Sequence, residues 1–421
     1  MERVWSVTKI LIMVLVLCCF LGTQTSFAGA PKEIRIGVTC PLTGPAAEAG
    51  VALKQAIILG VEEWNAKGGI YIEEAGKKLP IKVFIEDCQS KPEVGMSVGE
   101  KLITREKVHM LLGDAFHSSV TMAVMELAPK YGLPVMSIEP VSIEIAKKVA
   151  SNPKRYWSFW KGDWNSDAYA RTIFYTYQFL LEQGACTPKN KTIAFIVEDT
   201  DYGRSNAEGT AALFEGIGWK TLGIDTVPLG HTDFYPQLTK YKAMEPDIMA
   251  TVFTPLASGV AYSKQFHEVG MKCSHMAIYF PLRPEYIPQA GKAGEYLLWT
   301  PLLVDPEHNP LHKKFAAAVN KRWTVTLTGD HASGFDGINN ALDSINRAGS
   351  LEPKAIVEAL SKLDRKGIQG RYVFDQKTHA IKDGADFIPV SAVQIQDGKN
   401  YIVWPPSIAF GTYKAPPWLK K

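Results

Sequence analysis

An alternation of strand and helix patterns that runs, breaks and restarts constrains this chain more than any other feature. Ile34 to Val38 reads as a strand. Gly50 to Asn65 reads as an amphipathic helix, with Val51, Ala52, Ile58 and Leu59 apolar against Glu62 and Glu63. Lys67-Gly68-Gly69 stops that helix. Strands are predicted over 81–85, 109–112 and 134–137, with helices over 94–106 and 118–130. The polar stretch Ser151-Asn152-Pro153-Lys154-Arg155 and the aromatic cluster Tyr156, Trp157, Phe159, Trp160 and Trp164 interrupt the pattern. It resumes with strands over 192–197, 221–227, 248–253 and 276–280 and helices over 203–215, 234–244 and 259–269. Repeated β-α units imply parallel sheets covered by helices on both faces. The predicted fold class is α/β, with two doubly wound parallel-sheet lobes. Ligands of such sheets bind beyond the carboxyl ends of the strands, so two facing halves predict a site in the cleft between them.

After Pro281 the chain becomes rich in proline, and helices are predicted over 311–322, 334–348 and 352–363, the last opened by Pro353. Late strands are predicted over 370–374 and 389–395. Helices that follow two β-α halves must return to complete one of them, so more than one crossing is expected. The expected division is a first lobe of 31–155 with 283–385 and a second of 156–282 with 386–421, joined by a hinge.

Composition narrows the function classes. With 46% hydrophobic and 21% charged residues and a net charge of +3, the chain is an ordinary globular protein. The near balance of charge and the lack of a basic block argue against a nucleic-acid partner. The first residues read as an address. Arg3 and Lys9 precede an apolar run from Ile10 to Leu21, and Ser26-Phe27-Ala28 offers small residues for cleavage. A run of about twelve residues is short of the ~20 a membrane span needs. A cleaved signal over 1–28 and an extracytoplasmic, periplasmic location are expected; an N-terminal anchor helix is the competing reading. Leu17 before Cys18 disfavours lipidation. Cys40, Cys88, Cys186 and Cys273 then remain, and disulfides and buried free thiols both stay open.

No phosphate loop, nucleophile elbow or zinc-protease motif occurs, and Gly216-Ile217-Gly218 follows a helix and lacks a third fingerprint glycine. His117 beside Ser118 has no orienting acid, and the nine histidines are scattered. No catalysis, metal or cofactor is expected. Ser118-Ser119 is more informative. The pair opens a helix after the strand at 109–112 and a Gly113-Asp114-Ala115 turn. A serine there can cap the helix, or its hydroxyl can join the free amides of the helix start in holding a ligand carboxylate.

Ile36-Gly37-Val38, Pro41-Leu42-Thr43-Gly44-Pro45 and Trp64-Asn65-Ala66-Lys67-Gly68-Gly69-Ile70 resemble the opening of the leucine/isoleucine/valine-binding proteins of ABC transporters. The similarity continues through Ser118-Ser119-Val120-Thr121, Gly132-Leu133-Pro134-Val135-Met136-Ser137, Asp201-Tyr202-Gly203, Gly334-Phe335-Asp336-Gly337, Ala348-Gly349-Ser350 and Gly370-Arg371-Tyr372-Val373-Phe374-Asp375. It is the ordered series, spanning essentially the whole mature chain, that is specific. The resemblance implies a type I periplasmic binding protein: two lobes, three hinge crossings, and a ligand enclosed by lobe closure and handed to ABC permease subunits. It implies that Ser118 holds the ligand carboxylate, helped by the loop Ile138-Glu139-Pro140-Val141-Ser142, and that Tyr202 lines the pocket.

Two departures from the family pattern bear on the ligand. The family's acidic partner for an ammonium falls on Tyr279, with Phe280 next, and its tyrosine after the preceding strand falls near Thr254. The second lobe is therefore expected to lack that acid. Burying an ammonium without a partner costs several kcal/mol, so either Glu139 supplies a carboxylate from the other lobe or the ligand has no ammonium. The expected ligand-binding residues are Ser118, Ser119, Glu139, Tyr202, Thr254 and Tyr279, with Phe116, Trp160 and Phe253 as further stacking candidates. The expectation is a monomeric exported solute-binding protein for a branched-chain amino acid or related small carboxylate. The alternative is a sensing domain for an aromatic or other organic acid.

Overall fold

A computed structural model describes residues 31–301 and 304–419. The expected signal over 1–28 lies outside the described residues. The strands, numbered along the chain, form two principal sheets. The first contains β1 (Ile34–Cys40), β4 (Ile81–Asp87), β5 (Met110–Leu112), β6 (Val135–Ser137) and β7 (Phe159–Lys161). Its order is β4-β1-β5-β6-β7, and every pairing is parallel. The hairpin of β2 (Ile70–Ile72) and β3 (Lys77–Leu79) stands apart from it.

The second sheet is built from β8 (Thr192–Glu198), β9 (Lys220–Val227), β10 (Ile248–Phe253), β11 (Ser274–Tyr279) and β12 (Leu298–Thr300). Its parallel part runs β12-β11-β10-β8-β9. Beyond the small pair β13 (Asp364–Lys366) and β14 (Arg371–Val373), the late strands β15 (Ala392–Gln396) and β16 (Lys399–Trp404) add to its β12 edge antiparallel. Both halves thus repeat one order, in which the second strand sits outside the first and the rest follow on the other side. β8, β10 and β11 are buried along their whole length, as strands covered on both faces must be. The α/β reading with two doubly wound halves is the observed fold.

Two expected boundaries move. The aromatic segment after Arg155 is not yet the second half, because β7 pairs with β6. Likewise the chain does not return to the first half at 283, because β12 pairs with β11. The chain crosses between halves after β7, after β12 and before β15. The predicted helix over 118–130 is two helices, Ser118–Val124 and Leu127–Tyr131. Pro129 explains the break: it has no amide to give Met125, and its ring clashes with that carbonyl. The helix expected from 334 begins five residues earlier, as Gly329–Ala348. There Thr328 N donates to His331 Nδ1 at 3.2 Å, a start signal in which histidine stands where a capping box has glutamate.

Gly329–Ala348 returns to the first half and packs against the helix Ala47–Ala66, with Trp64 Nε1 donating to Asn339 Oδ1 at 2.9 Å. Glycines permit that closeness. A Cβ on Gly334 would lie 2.7 Å from the Leu53 carbonyl oxygen and 3.0 Å from Leu53 Cα. Backbone atoms cannot swing aside as side chains do. Among the described residues the four cysteines, Cys40, Cys88, Cys186 and Cys273, are free thiols. Cys40 and Cys88 are backbone neighbours, with Cys88 N donating to Cys40 O at 3.0 Å. Among the described residues no helix is long and apolar enough to cross a membrane.

Gly334→Ala should destabilise the protein by about 1–3 kcal/mol, the usual range for overpacking. The midpoint of denaturant unfolding checks this; an unchanged midpoint would mean that the two helices can move apart freely.

Candidate functional site

In a doubly wound sheet, loops leave the first strand and its neighbour in opposite directions, which opens a crevice at the strands' carboxyl ends. Both halves have such a point, between β1 and β5 and between β8 and β10. The loops there face one cavity with about 650 Å³ of empty space, part of it open to solvent. Ser118, Ser119, Glu139, Tyr202, Thr254 and Tyr279 all line it.

In the first half the loop after β5 is shaped by Asp114. Its carboxylate accepts from Phe116 N at 3.0 Å, His117 N at 2.8 Å and Thr39 Oγ1 at 3.0 Å. This turn delivers Ser118 as the first residue of its helix, so Ser118 is not the cap. Its hydroxyl oxygen accepts from Ser142 N at 3.1 Å. The hydroxyl proton stays available to the cavity, next to amides of a first turn that have no intrahelical partner. Glu139, in the loop after β6, points a buried Oε2 into the site without a hydrogen-bond partner. Asp163, just past β7, is 5% exposed and also lines the cavity.

In the second half Glu198 ends β8. It accepts from Thr254 N at 2.7 Å, Thr254 Oγ1 at 2.8 Å and Thr200 Oγ1 at 3.2 Å. Thr200 Oγ1 also caps the next helix by accepting from Gly203 N at 3.0 Å. That cap places Tyr202 in the first turn, with its hydroxyl buried and unpartnered. Tyr279 closes β11 with φ 83°, a region costly for a residue with a Cβ. Its hydroxyl donates to Asp330 Oδ1 at 2.6 Å, and its ring lies 5.6 Å from that of Phe116 in the first half. Of the further stacking candidates Phe116 lines the cavity, whereas Trp160 and Phe253 do not. Trp160 stacks on His379 at 4.1 Å, and Phe253 packs 4.9 Å from Phe234 in the core.

Residues 33–399 match the family model described as periplasmic binding protein. The chain belongs to that family. A Leu/Ile/Val-binding protein homolog 7 from Brucella melitensis is 23% identical over 409 residues, which are 92% of this chain and 96% of the relative. The substrate-binding protein LivJ of Streptococcus pneumoniae, solved with isoleucine, superposes with a TM-score of 0.72 at 21% identity, covering 89% of this chain and all of LivJ. A solute-binding protein of an ABC transporter from R. palustris, solved with benzoate, gives a TM-score of 0.73 at 16% identity, covering 88% of this chain and 95% of that one. These likenesses show the type I periplasmic binding protein fold. The family is one of solute-binding proteins and not of enzymes.

Electrostatics separates this periplasmic binding protein's cleft from a simple anion site. Burial, with Asp330 and Asp163 nearby, pushes the Glu139 carboxyl well up, and the Ser333 hydroxyl offsets this in part. Asp163 is likewise raised by burial, the neighbouring Lys161 opposing. Desolvation lifts Glu198 to about 7 against the donors that favour its charge. The lining residue His117 is pushed down to about 4 by burial and is neutral. The one nearby guanidinium, Arg283, is buried in a salt bridge with Asp330. Sequence reasoning missed Glu198 and Asp163. A glutamate ending the otherwise apolar Ile193–Val197 run was the available signal.

Glu198 takes its proton near 4.5 when unfolded and near 7 when folded. Between those values the folded chain holds the extra proton, so stability falls as pH rises, by at most about 3 kcal/mol. Glu198→Gln should flatten the pH profile of thermal unfolding in the ligand-free protein across that window; a profile identical to wild type would contradict the raised carboxyl. Arg283→Met, which leaves Asp330 buried and unpaired, should cost about 3–5 kcal/mol in denaturant unfolding.

Proposed function

We propose that this chain is the exported solute-binding component of an ABC importer and that its ligand is an α-amino acid. One observation carries the reading: the hydroxyls of Ser118 and Ser119 share a cavity with Glu139, whose buried Oε2 has no hydrogen-bond partner. The hydroxyls and adjoining helix amides suit a carboxylate. Glu139 suits an ammonium, which would draw off its proton and give it the missing partner. Because ligand groups would touch both halves, binding would favour the closed arrangement. Tyr202, Thr254 and Tyr279 would contribute from the second half. The branched-chain relatives make leucine, isoleucine and valine the first ligands to try, and the expected signal over 1–28 supports export to membrane permease subunits.

A second reading is an aromatic carboxylate, favoured by the rings of Phe116, Trp164, Tyr169, Tyr202 and Tyr279 around the cavity. It fits the charges less well, since Glu139, Asp163 and Glu198 line the same space without a free cation among the described lining residues. Calorimetry with leucine, its des-amino analogue 4-methylpentanoate, and benzoate separates the two. An amino acid should bind best and release a proton, seen as a dependence on buffer ionisation enthalpy, and Glu139→Gln should remove both effects. Ser118→Ala should weaken binding by about 1.5–3 kcal/mol, the worth of a charge-assisted hydrogen bond. Tighter binding of the analogue or of benzoate would overturn the amino-acid reading.

A further inference from the structure

We propose that the bound amino acid carries a hydrogen-bond donor at the end of its side chain and that Glu198 receives it. The inference rests on the amino-acid reading of the same cleft and narrows it to donor-tailed ligands, amides and amines before plain hydrocarbons.

The cavity holds acids at two separate poles. Glu139 is grouped with Asp163 and Asp330, whose charges it feels. Glu198 stands on the other side, in contact with Thr200 and Thr254. Tyr202 is close enough to both for Glu198 and Glu139 each to act on its phenol. A single α-ammonium at Glu139 leaves the second pole unaddressed, and the part of the ligand that reaches it is the side chain.

Glu198 is built to accept one more hydrogen bond. A carboxylate offers about four lone-pair sites. Oε1 takes the two threonine hydroxyls, whereas Oε2 takes only the Thr254 amide. The residue is 2% exposed and lines the cavity, so a further donor would have to come from the ligand space and not from bulk water. One further lining group lacks a partner, the Tyr202 hydroxyl. A hydrocarbon tail placed between it and Glu198 would satisfy neither, which is a recognised source of discrimination against apolar analogues. If Glu198 served only to hold the Thr254 loop, a glutamine would do so without a buried acid.

The test compares lysine and glutamine with norleucine, a hydrocarbon of similar length, by calorimetry on the full mature chain. A donor-tailed ligand should bind about tenfold or more tightly than norleucine. Glu198→Met should bring the two within about threefold, because a purely structural role would weaken both alike. If Glu198→Met fails to fold, Glu198→Gln carries the test: an amine tail should then lose more affinity than an amide tail. Norleucine or leucine binding as tightly as the donor-tailed ligands, or a preference surviving the variant, overturns the proposal. If no amino acid binds, or 4-methylpentanoate binds as well as leucine, it is the parent reading that has failed.

Discussion

A carboxyl group taken out of water must find a cation, a set of donors or a proton, and the cleft of this protein is organised by that demand. Asp330 finds a cation: Arg283 reaches it, and Tyr279 and Thr328 donate to it. Asp336, deeper in the same helix, does the same with Arg365 at 2.8 Å, the amides of Ile368 and Gln369, and Tyr372. Glu198 finds donors, and Glu139 is left with a proton. The first two acids are structural, because nothing is missing from their surroundings. The last two keep capacity for a further partner, and both line the cavity. The difference between a fastening and a binding group is thus visible in hydrogen-bond inventory alone.

The same groups couple the halves. Tyr279 leaves the second sheet at β11, and Asp330 begins a helix that packs on the first half. Their 2.6 Å bond, with Arg283 lying against the Tyr279 ring at 5.0 Å, spans the floor of the cleft. The unusual backbone angle of Tyr279 is what turns its ring out of the strand and toward the other half. A ligand that touches Ser118 on one side and Tyr202 on the other would therefore act on surfaces already held in register by this buried bridge.

Much of this was legible from residues. The β-α alternation gave both halves because parallel strands buried on two faces leave long apolar runs, and Thr192–Glu198 is such a run. The serine pair could be placed because a strand, a tight turn and a helix start follow one another within a few residues. What escaped notice was set by partners distant in sequence. β7 is three residues inside an aromatic cluster and is a strand only because β6 lies beside it. Phe253 and Trp160 are held out of the cavity by rings that come from elsewhere in the chain, Phe234 and His379. The acid of the second half was sought after β11, where Tyr279 stands; it is at the end of β8, two strands away in the same sheet.

On the amino-acid reading it is Glu139 of the first half, and not an acid at the Tyr279 position, that would take the ammonium. Arg283 lies against the ring of the lining residue Tyr279, and were it free it would draw an anion toward that wall. Asp330 removes that competition, since a guanidinium paired with a buried carboxylate offers no net charge. On the proposed reading a carboxylate would then be left to neutral donors, Ser118 and the helix amides, which would hold an anion without requiring a counter-charge. A ligand bound there by neutral groups, in a cavity with Glu139 opposite, is stabilised most when it brings its own positive charge.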